Sequence, residues 1–193
     1  MVKDLEIMGE FTEEEGLTLV SQTSLVTNSA DMMKNWRRVS LASDFLAKYY
    51  SYYFPYKEKA KGKISRETAE NNISFIMNEL IENTAKYSDA RDKTVTIKLL
   101  LLEHEIVFQV TNYVTPGMAE SFRSLAQEIL ESNPEELYIK RLERNTESES
   151  SDSGLGYLTL INDYGVTMGF KFEKKDKEQY QITVQARMKS REE

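Results

Sequence analysis

The chain has 193 residues, a formal net charge of −7 and 40% hydrophobic residues, which is typical of one globular domain with a modest extension. The negative charge argues against broad binding to nucleic acid or to a membrane surface, because both need concentrated positive charge. The absence of cysteine excludes a disulfide framework, a cysteine nucleophile and cysteine-based zinc sites. No apolar signal segment or membrane-length run is visible, so the cytoplasm is the expected compartment.

The first third of the chain is expected to form an acidic arm, a strand and an aromatic helix. Residues 1–16 form an irregular arm or a weak strand, residues 17–24 a strand, and residues 27–31 the cap of a helix over residues 32–54 that breaks near Ser40. We expect its aromatic face to pack in the core, with a surface for self-association or a partner as the alternative. That face comprises Trp36, Leu41, Phe45, Leu46, Tyr49, Tyr52 and Tyr53.

The stretch over residues 71–89 predicts the central helix, which Ser65 opens as N-cap. Its apolar residues recur at helical spacing and form a stripe for the core. Glu79, Asn83 and Lys86 follow one another at i, i+4 and i+7, so they lie within roughly 60° of each other, beside that stripe. A carboxylate, a carboxamide and an ammonium group therefore share one edge of the helix.

This edge suits nucleotide chemistry. A carboxylate can accept a proton from an attacking hydroxyl group, an amide oxygen is a hard ligand for Mg²⁺, and a lysine can neutralise phosphate charge. An ordinary amphipathic helix with a polar border is the alternative, because all three residue types are common on helix surfaces.

The remaining elements are two hairpins that flank a helical insertion. Strands are predicted over residues 94–102 and 105–112, with His104 at the turn, and over residues 166–173 and 179–188. In the first strand Val95, Ile97, Leu99 and Leu101 alternate onto one face, which fits a sheet covered by helices on one side. Between the hairpins we expect helices over residues 118–131 and 134–144, an acidic serine-rich loop over residues 146–153, and a short helix that Gly165 ends.

A second candidate site is Ser153-Gly154-Leu155-Gly156, where the acidic loop meets the start of that short helix. Free backbone N–H groups and the helix dipole favour an anion at such a place, and glycine lets a phosphate approach the backbone. A plain glycine turn is the alternative.

The order of these pieces resembles the histidine-kinase-like ATPase, or GHKL, fold. Glu79-Leu80-Ile81-Glu82-Asn83 is similar to the family's N-box, and Ser153-Gly154-Leu155-Gly156 is similar to its second glycine box. A closer likeness is to the SiaB-like family of small stand-alone protein kinases, through Val110-Thr111-Asn112 and Glu136-Leu137-Tyr138. The D-x-G-x-G of the first glycine box is absent after the second strand, where Asn112-Tyr113-Val114-Thr115-Pro116-Gly117 stands instead.

The resemblance implies an α+β two-layer sandwich with a mostly antiparallel sheet and helices on one face. It divides the chain into an N-terminal part over residues 1–63 and an ATPase-like domain over residues 64–193, with a lid over residues 116–153. It also implies ATP and Mg²⁺ as cofactors. The implied roles are a catalytic base for Glu79, a Mg²⁺ ligand for Asn83, phosphate contact for Lys86, adenine contact for Asn112, and triphosphate binding for Ser153, Gly154, Leu155 and Gly156.

Two functions are therefore expected as alternatives. The first is an ATP-dependent serine/threonine kinase that acts on a small protein partner in a bacterial partner-switching circuit. The second is a catalytically silent module of the same fold that regulates by binding a protein. A homodimer is compatible with either.

Overall fold

A computed structural model of the chain describes residues 4–56, 64–88, 93–147 and 154–190, without the side chains of residues 33, 36 and 145–147. Within these ranges the strands are β1 (Leu5–Gly9), β2 (Ser21–Asn28), β3 (Thr94–Leu101), β4 (Glu105–Val114), β5 (Thr167–Lys174) and β6 (Tyr180–Lys189). The helices are α1 (Ser29–Lys34), α2 (Trp36–Ser51), α3 (Arg66–Tyr87), α4 (Pro116–Glu131), α5 (Pro134–Glu147) and α6 (Leu155–Tyr164).

The strands form a single sheet in the order β1-β5-β6-β4-β3-β2, and all neighbouring strands are antiparallel. The helices share a continuous apolar core with one face of this sheet, so the predicted α+β sandwich with helices on one face is confirmed. Val95, Ile97, Leu99 and Leu101 of β3 point into that core as their alternation predicted. Strands β1 and β2, from the N-terminal part of the chain, form the two edges of the sheet.

Because β1 and β2 lie at opposite edges, the chain between them crosses the face of the sheet that carries no helices. We call residues 10–20 the N-terminal strap. The backbone of Thr12 exchanges two hydrogen bonds with the side-chain amide of Gln185 on β6, each 2.9 Å long. Glu13 pairs with Lys171 on β5, and Glu14 pairs with Lys98 on β3, both at 2.6 Å. The strap is thus fastened to three strands by polar contacts.

The helix predicted over residues 32–54 is two helices, and the expected break at Ser40 is wrong. The break falls at Asn35, whose backbone leaves helical geometry with φ −126° and ψ 43°. Asn35 Nδ2 donates a hydrogen bond to Asp31 Oδ1 at 2.8 Å, which stabilises the residue in this position. Asn28 caps α1 by accepting hydrogen bonds from the N–H groups of Ala30 and Asp31.

The prediction that the aromatic face of α2 packs in the core is wrong for most of its members. Leu46 is buried, whereas Leu41, Phe45, Tyr49, Tyr52 and Tyr53 are exposed. The buried stripe of α2 consists instead of Val39, Ser43, Leu46, Ala47 and Tyr50. The side chain of Trp36 lies outside the described part of the structure.

The other element boundaries shift by a few residues. The strand expected over residues 17–24 is β2, and the central helix begins at Arg66, where Ser65 Oγ accepts the N–H of Thr68 at 3.1 Å as the expected N-cap. The expected acidic loop begins within α5, which continues to Glu147, and its residues 148–153 lie outside the described ranges.

Candidate functional site

The start of α6 packs directly against the polar edge of α3. A Cβ atom added at Gly156 would collide with Glu79 Oε2 and would lie 3.0 Å from Asn83 Nδ2. Only glycine leaves room for both side chains in their present positions. The structure therefore brings Gly156 into contact with Glu79 and Asn83, although they are more than 70 residues apart along the chain.

Asn83 occupies the deepest position of this junction. The residue is 3% exposed, and its Nδ2 atom has no hydrogen-bond partner among the described residues. A buried amide without a partner costs free energy, and this cost is recovered when a ligand or an ordered water accepts from it. The nitrogen and the oxygen of an asparagine side chain exchange places when the amide group rotates by 180°. In that orientation Asn83 would present its oxygen, which can bind a cation, where Nδ2 now lies.

Glu79 lies half-buried beside Gly156. Burial raises the pKa of its carboxyl group, and the negative charge of Glu82 adds to the shift, whereas the positive charge of Lys86 opposes it. A carboxylate whose pKa is raised toward neutrality is better matched to accepting a proton from a hydroxyl group.

Gly154 is the N-cap of α6 in the left-handed conformation, with φ 106°, and as a glycine it has no side chain with which to cap the helix. The start of a helix is a place where backbone N–H groups and the helix dipole favour an anion. The guanidinium group of Arg141 on α5 is close, because its Nη1 lies 3.3 Å from the position of a Cβ at Gly154. Arg141 is buried and pairs with Glu128 at 2.5 Å. Leu155 is partly buried, and Ser153 lies outside the described residues.

Lys86 stands apart from the junction. Its ammonium group lies 3.0 Å from Glu82 Oε1, and both side chains are about half exposed. Beside Gly154 the positive charge comes instead from Arg141, which belongs to the segment predicted as the lid. Its place depends on how α5 packs against α6.

Asn112 lies on β4 behind the C-terminal end of α3. Its Nδ2 donates to the carbonyl oxygen of Tyr87 at 3.3 Å and to Ser88 Oγ at 3.1 Å. The side chain is buried, so these bonds tie the sheet to the end of the helix. The Nδ2 atom of Asn112 is therefore engaged within the chain.

The space between Asn83 and Asn112 is almost filled. The cavity there measures about 10 Å³, room for at most one water molecule. Phe122 of α4 lines it and packs against the rings of Tyr87 and Tyr157 at 5.0 and 6.1 Å. In sequence Phe122 belongs to the ordinary apolar stripe of α4, and nothing there indicates that it lies at the candidate site.

The site therefore suits the phosphate end of a magnesium nucleotide better than the base end. The junction of Glu79, Asn83 and Gly156 offers a carboxylate and a carboxamide to a cation, and the start of α6 beside it is a place that favours phosphate. The neighbouring cavity, closed by Phe122, has no room for a purine base. In the described ranges no cluster of three or more His, Asp or Glu side chains could hold a metal ion by itself.

Comparisons with known proteins identify a structure with a similar fold but no family to which the chain belongs. No protein-family model matches the chain, and no curated protein matches it. The fold is similar to that of a chain in the crystal structure of the SiaB-SiaC complex from Pseudomonas aeruginosa, with a TM-score of 0.60. The likeness covers 85% of this chain and 89% of that chain at 14% sequence identity. The two chains therefore share a fold.

The search for membrane-spanning helices gives a negative result for the described residues. No helix among them is both long and apolar enough to cross a membrane.

Proposed function

We propose that this chain is a cytoplasmic regulator of the partner-switching kind with a GHKL-like fold, and that it acts on a protein partner as a Mg-ATP-dependent serine/threonine kinase. The observation that carries the proposal is the contact of Gly156 with Glu79 and Asn83. It brings a carboxylate, a carboxamide and the start of a helix together at one place. The fold shared with a chain of the SiaB-SiaC complex supports a role that depends on binding another protein.

Each residue of the junction has a distinct role in this proposal. Glu79 would accept the proton of a serine or threonine hydroxyl group of the partner, for which its raised pKa suits it. The N–H groups at the start of α6 would bind phosphate oxygens, and Arg141 would add positive charge beside Gly154. Asn83 would turn its amide oxygen to Mg²⁺. The bound nucleotide would supply the phosphoryl group.

The second candidate is a silent module of the same fold that acts only by binding a protein. The closed cavity beside Phe122 favours it, because a base cannot enter while α4 keeps its position. The kinase proposal therefore requires α4 to move Phe122 out of the cavity before nucleotide binds.

Calorimetric titration with Mg-ATP separates the two candidates. We expect the wild type to bind, Asn83→Ala to lose binding by at least about tenfold, and Phe122→Ala to bind more tightly because the cavity is already open. Lys86→Ala is the matched control on the same helix, and its affinity should change little, since Lys86 pairs with Glu82.

Two results would contradict the kinase proposal. One is the absence of binding to both the wild type and Phe122→Ala, which would leave the silent module. The other is equal binding by Asn83→Ala and the wild type, which would place the nucleotide elsewhere on the chain.

A further inference from the structure

Helix α4 closes the cavity beside Asn83 through one side chain. Phe122 lines that cavity together with Asn83 and Asn112, and its ring packs in an aromatic cluster on the sheet. The ring centroids of Phe170 and Phe172 on β5 lie 5.8 and 6.0 Å from that of Phe122. Access to the site therefore depends on what holds α4 against the sheet.

The residue next to Phe122 is bound by the first strand of the chain. Arg123 Nε donates a hydrogen bond to Glu6 Oε2 at 3.0 Å, and Arg123 Nη2 donates one to Glu6 Oε1 at 3.3 Å. The side chains of Arg123 and Glu6 are only 27% and 13% exposed. A two-point ion pair that is partly shielded from water is stronger than a single surface contact, and it also fixes the orientation of the helix that carries it.

A second contact between β1 and α4 lies about two turns further along the helix. Leu130 Cδ2 is 2.8 Å from the position of a Cβ atom at Gly9, so the end of β1 fits beneath α4 only because residue 9 is glycine. Strand β1 pairs with β5 and lies at the edge of the sheet. Helix α4 is thus fastened to a strand that can be displaced without breaking the central sheet.

We propose that the ion pair of Glu6 with Arg123 is a latch that holds α4 in the closed position and so regulates the entry of nucleotide. When the pair breaks, the closed position becomes less favourable relative to an open one in which Phe122 has left the cavity. Because only the open form can bind nucleotide, the apparent affinity rises by the same factor as the population of that form. The regulation rests on the proposed function, whereas the latch itself does not.

Cysteine labelling without nucleotide tests the latch, and the chain has no native cysteine to interfere. Ala126 on α4 and Ala47 on α2 are both fully buried, so a cysteine at either position reacts only when its surroundings open. We expect Glu6→Gln to speed the labelling of Ala126→Cys by about three- to tenfold and to leave that of Ala47→Cys unchanged. Ala47→Cys is therefore the control for a general loss of stability.

Calorimetric titration with Mg-ATP tests the regulation. Glu6→Gln should raise the affinity of the otherwise wild-type chain by about the same three- to tenfold factor. In the Phe122→Ala chain, whose cavity is already open, the same substitution should change the affinity by less than about twofold. Glu13→Gln is the matched control, because it breaks the ion pair of the N-terminal strap with Lys171 on β5, and it should leave the affinity unchanged.

Three results would overturn the proposal. Unchanged labelling of Ala126→Cys in the Glu6→Gln chain would mean that the ion pair does not hold α4, and equal acceleration at both cysteines would mean a general loss of stability. An equal gain in affinity with and without the Phe122 ring would mean that Glu6 acts on the site by another route. If neither the wild type nor Phe122→Ala binds nucleotide, the proposed function fails, and the labelling rates alone decide whether the latch exists.

Discussion

At the scale of single residues, the candidate site depends on one glycine. Gly156 lets α6 approach α3 so closely that Glu79 and Asn83 lie at the start of α6. This approach leaves Glu79 partly buried and Asn83 buried, which accounts for the raised pKa of the carboxyl group and for the amide without a partner among the described residues. Both features are costly for stability and are expected where a ligand binds.

The raised pKa of Glu79 predicts a pH dependence of stability. The folded chain binds this proton more tightly than the unfolded chain, so the free energy of unfolding falls as the pH rises from about 4, the ordinary glutamate range, through the raised pKa. Glu79→Gln lacks this titration. The free energy of unfolding of Glu79→Gln minus that of the wild type should therefore increase across that pH window and stay constant above it.

Urea unfolding of both proteins at a series of pH values measures this difference. Glu103→Gln is the control for the loss of one surface charge, because Glu103 is highly exposed at the turn between β3 and β4. A stability difference between Glu79→Gln and the wild type that stays constant with pH would refute the burial of this carboxyl group.

At the scale of elements, the N-terminal strap is fastened mainly by Gln185. This side chain is fully buried, and its amide satisfies both the N–H and the C=O of Thr12. Gln185→Ala leaves those two backbone groups without partners, so we expect a loss of about 1–3 kcal/mol in the free energy of unfolding. Chemical denaturation measures it.

A surface contact of the same strap provides the comparison. Lys171→Ala removes the ion pair with Glu13 near the surface and should cost less than about 1 kcal/mol. Equal losses in the two variants would mean that the strap is held by its charges rather than by the buried amide.

The elements that local pattern determines were predictable, whereas contacts between distant segments were not. Alternation and helical spacing indicated β3, β4, α3, α6 and the final hairpin because these signals lie within a few residues. The strap left no signal, since its partner Gln185 is 173 residues from Thr12 along the chain. The orientation of α2 was missed because it has two apolar stripes, and composition does not tell which one faces the core.

At the scale of the whole molecule, the sheet order brings the candidate site together. The two hairpins pair through β4 and β6, which sets α3 and α6 side by side over the same face. Short motifs in the sequence pointed to both halves of the candidate site, and their contact is seen in the structure. The sequence did not predict that Lys86 turns to Glu82 or that Phe122 lines the cavity, because these depend on tertiary packing.

We propose that phosphate binds at the start of α6, next to the contact of Gly156 with Asn83. Amide NMR during a titration with Mg-ATP tests it most directly, because the chain has only 8 glycines and their resonances are readily followed. The account predicts that the largest shifts occur at the backbone amides of Gly154, Leu155 and Gly156 and at the side-chain amide of Asn83. Shifts confined to other parts of the chain, or none at saturating nucleotide, would contradict it.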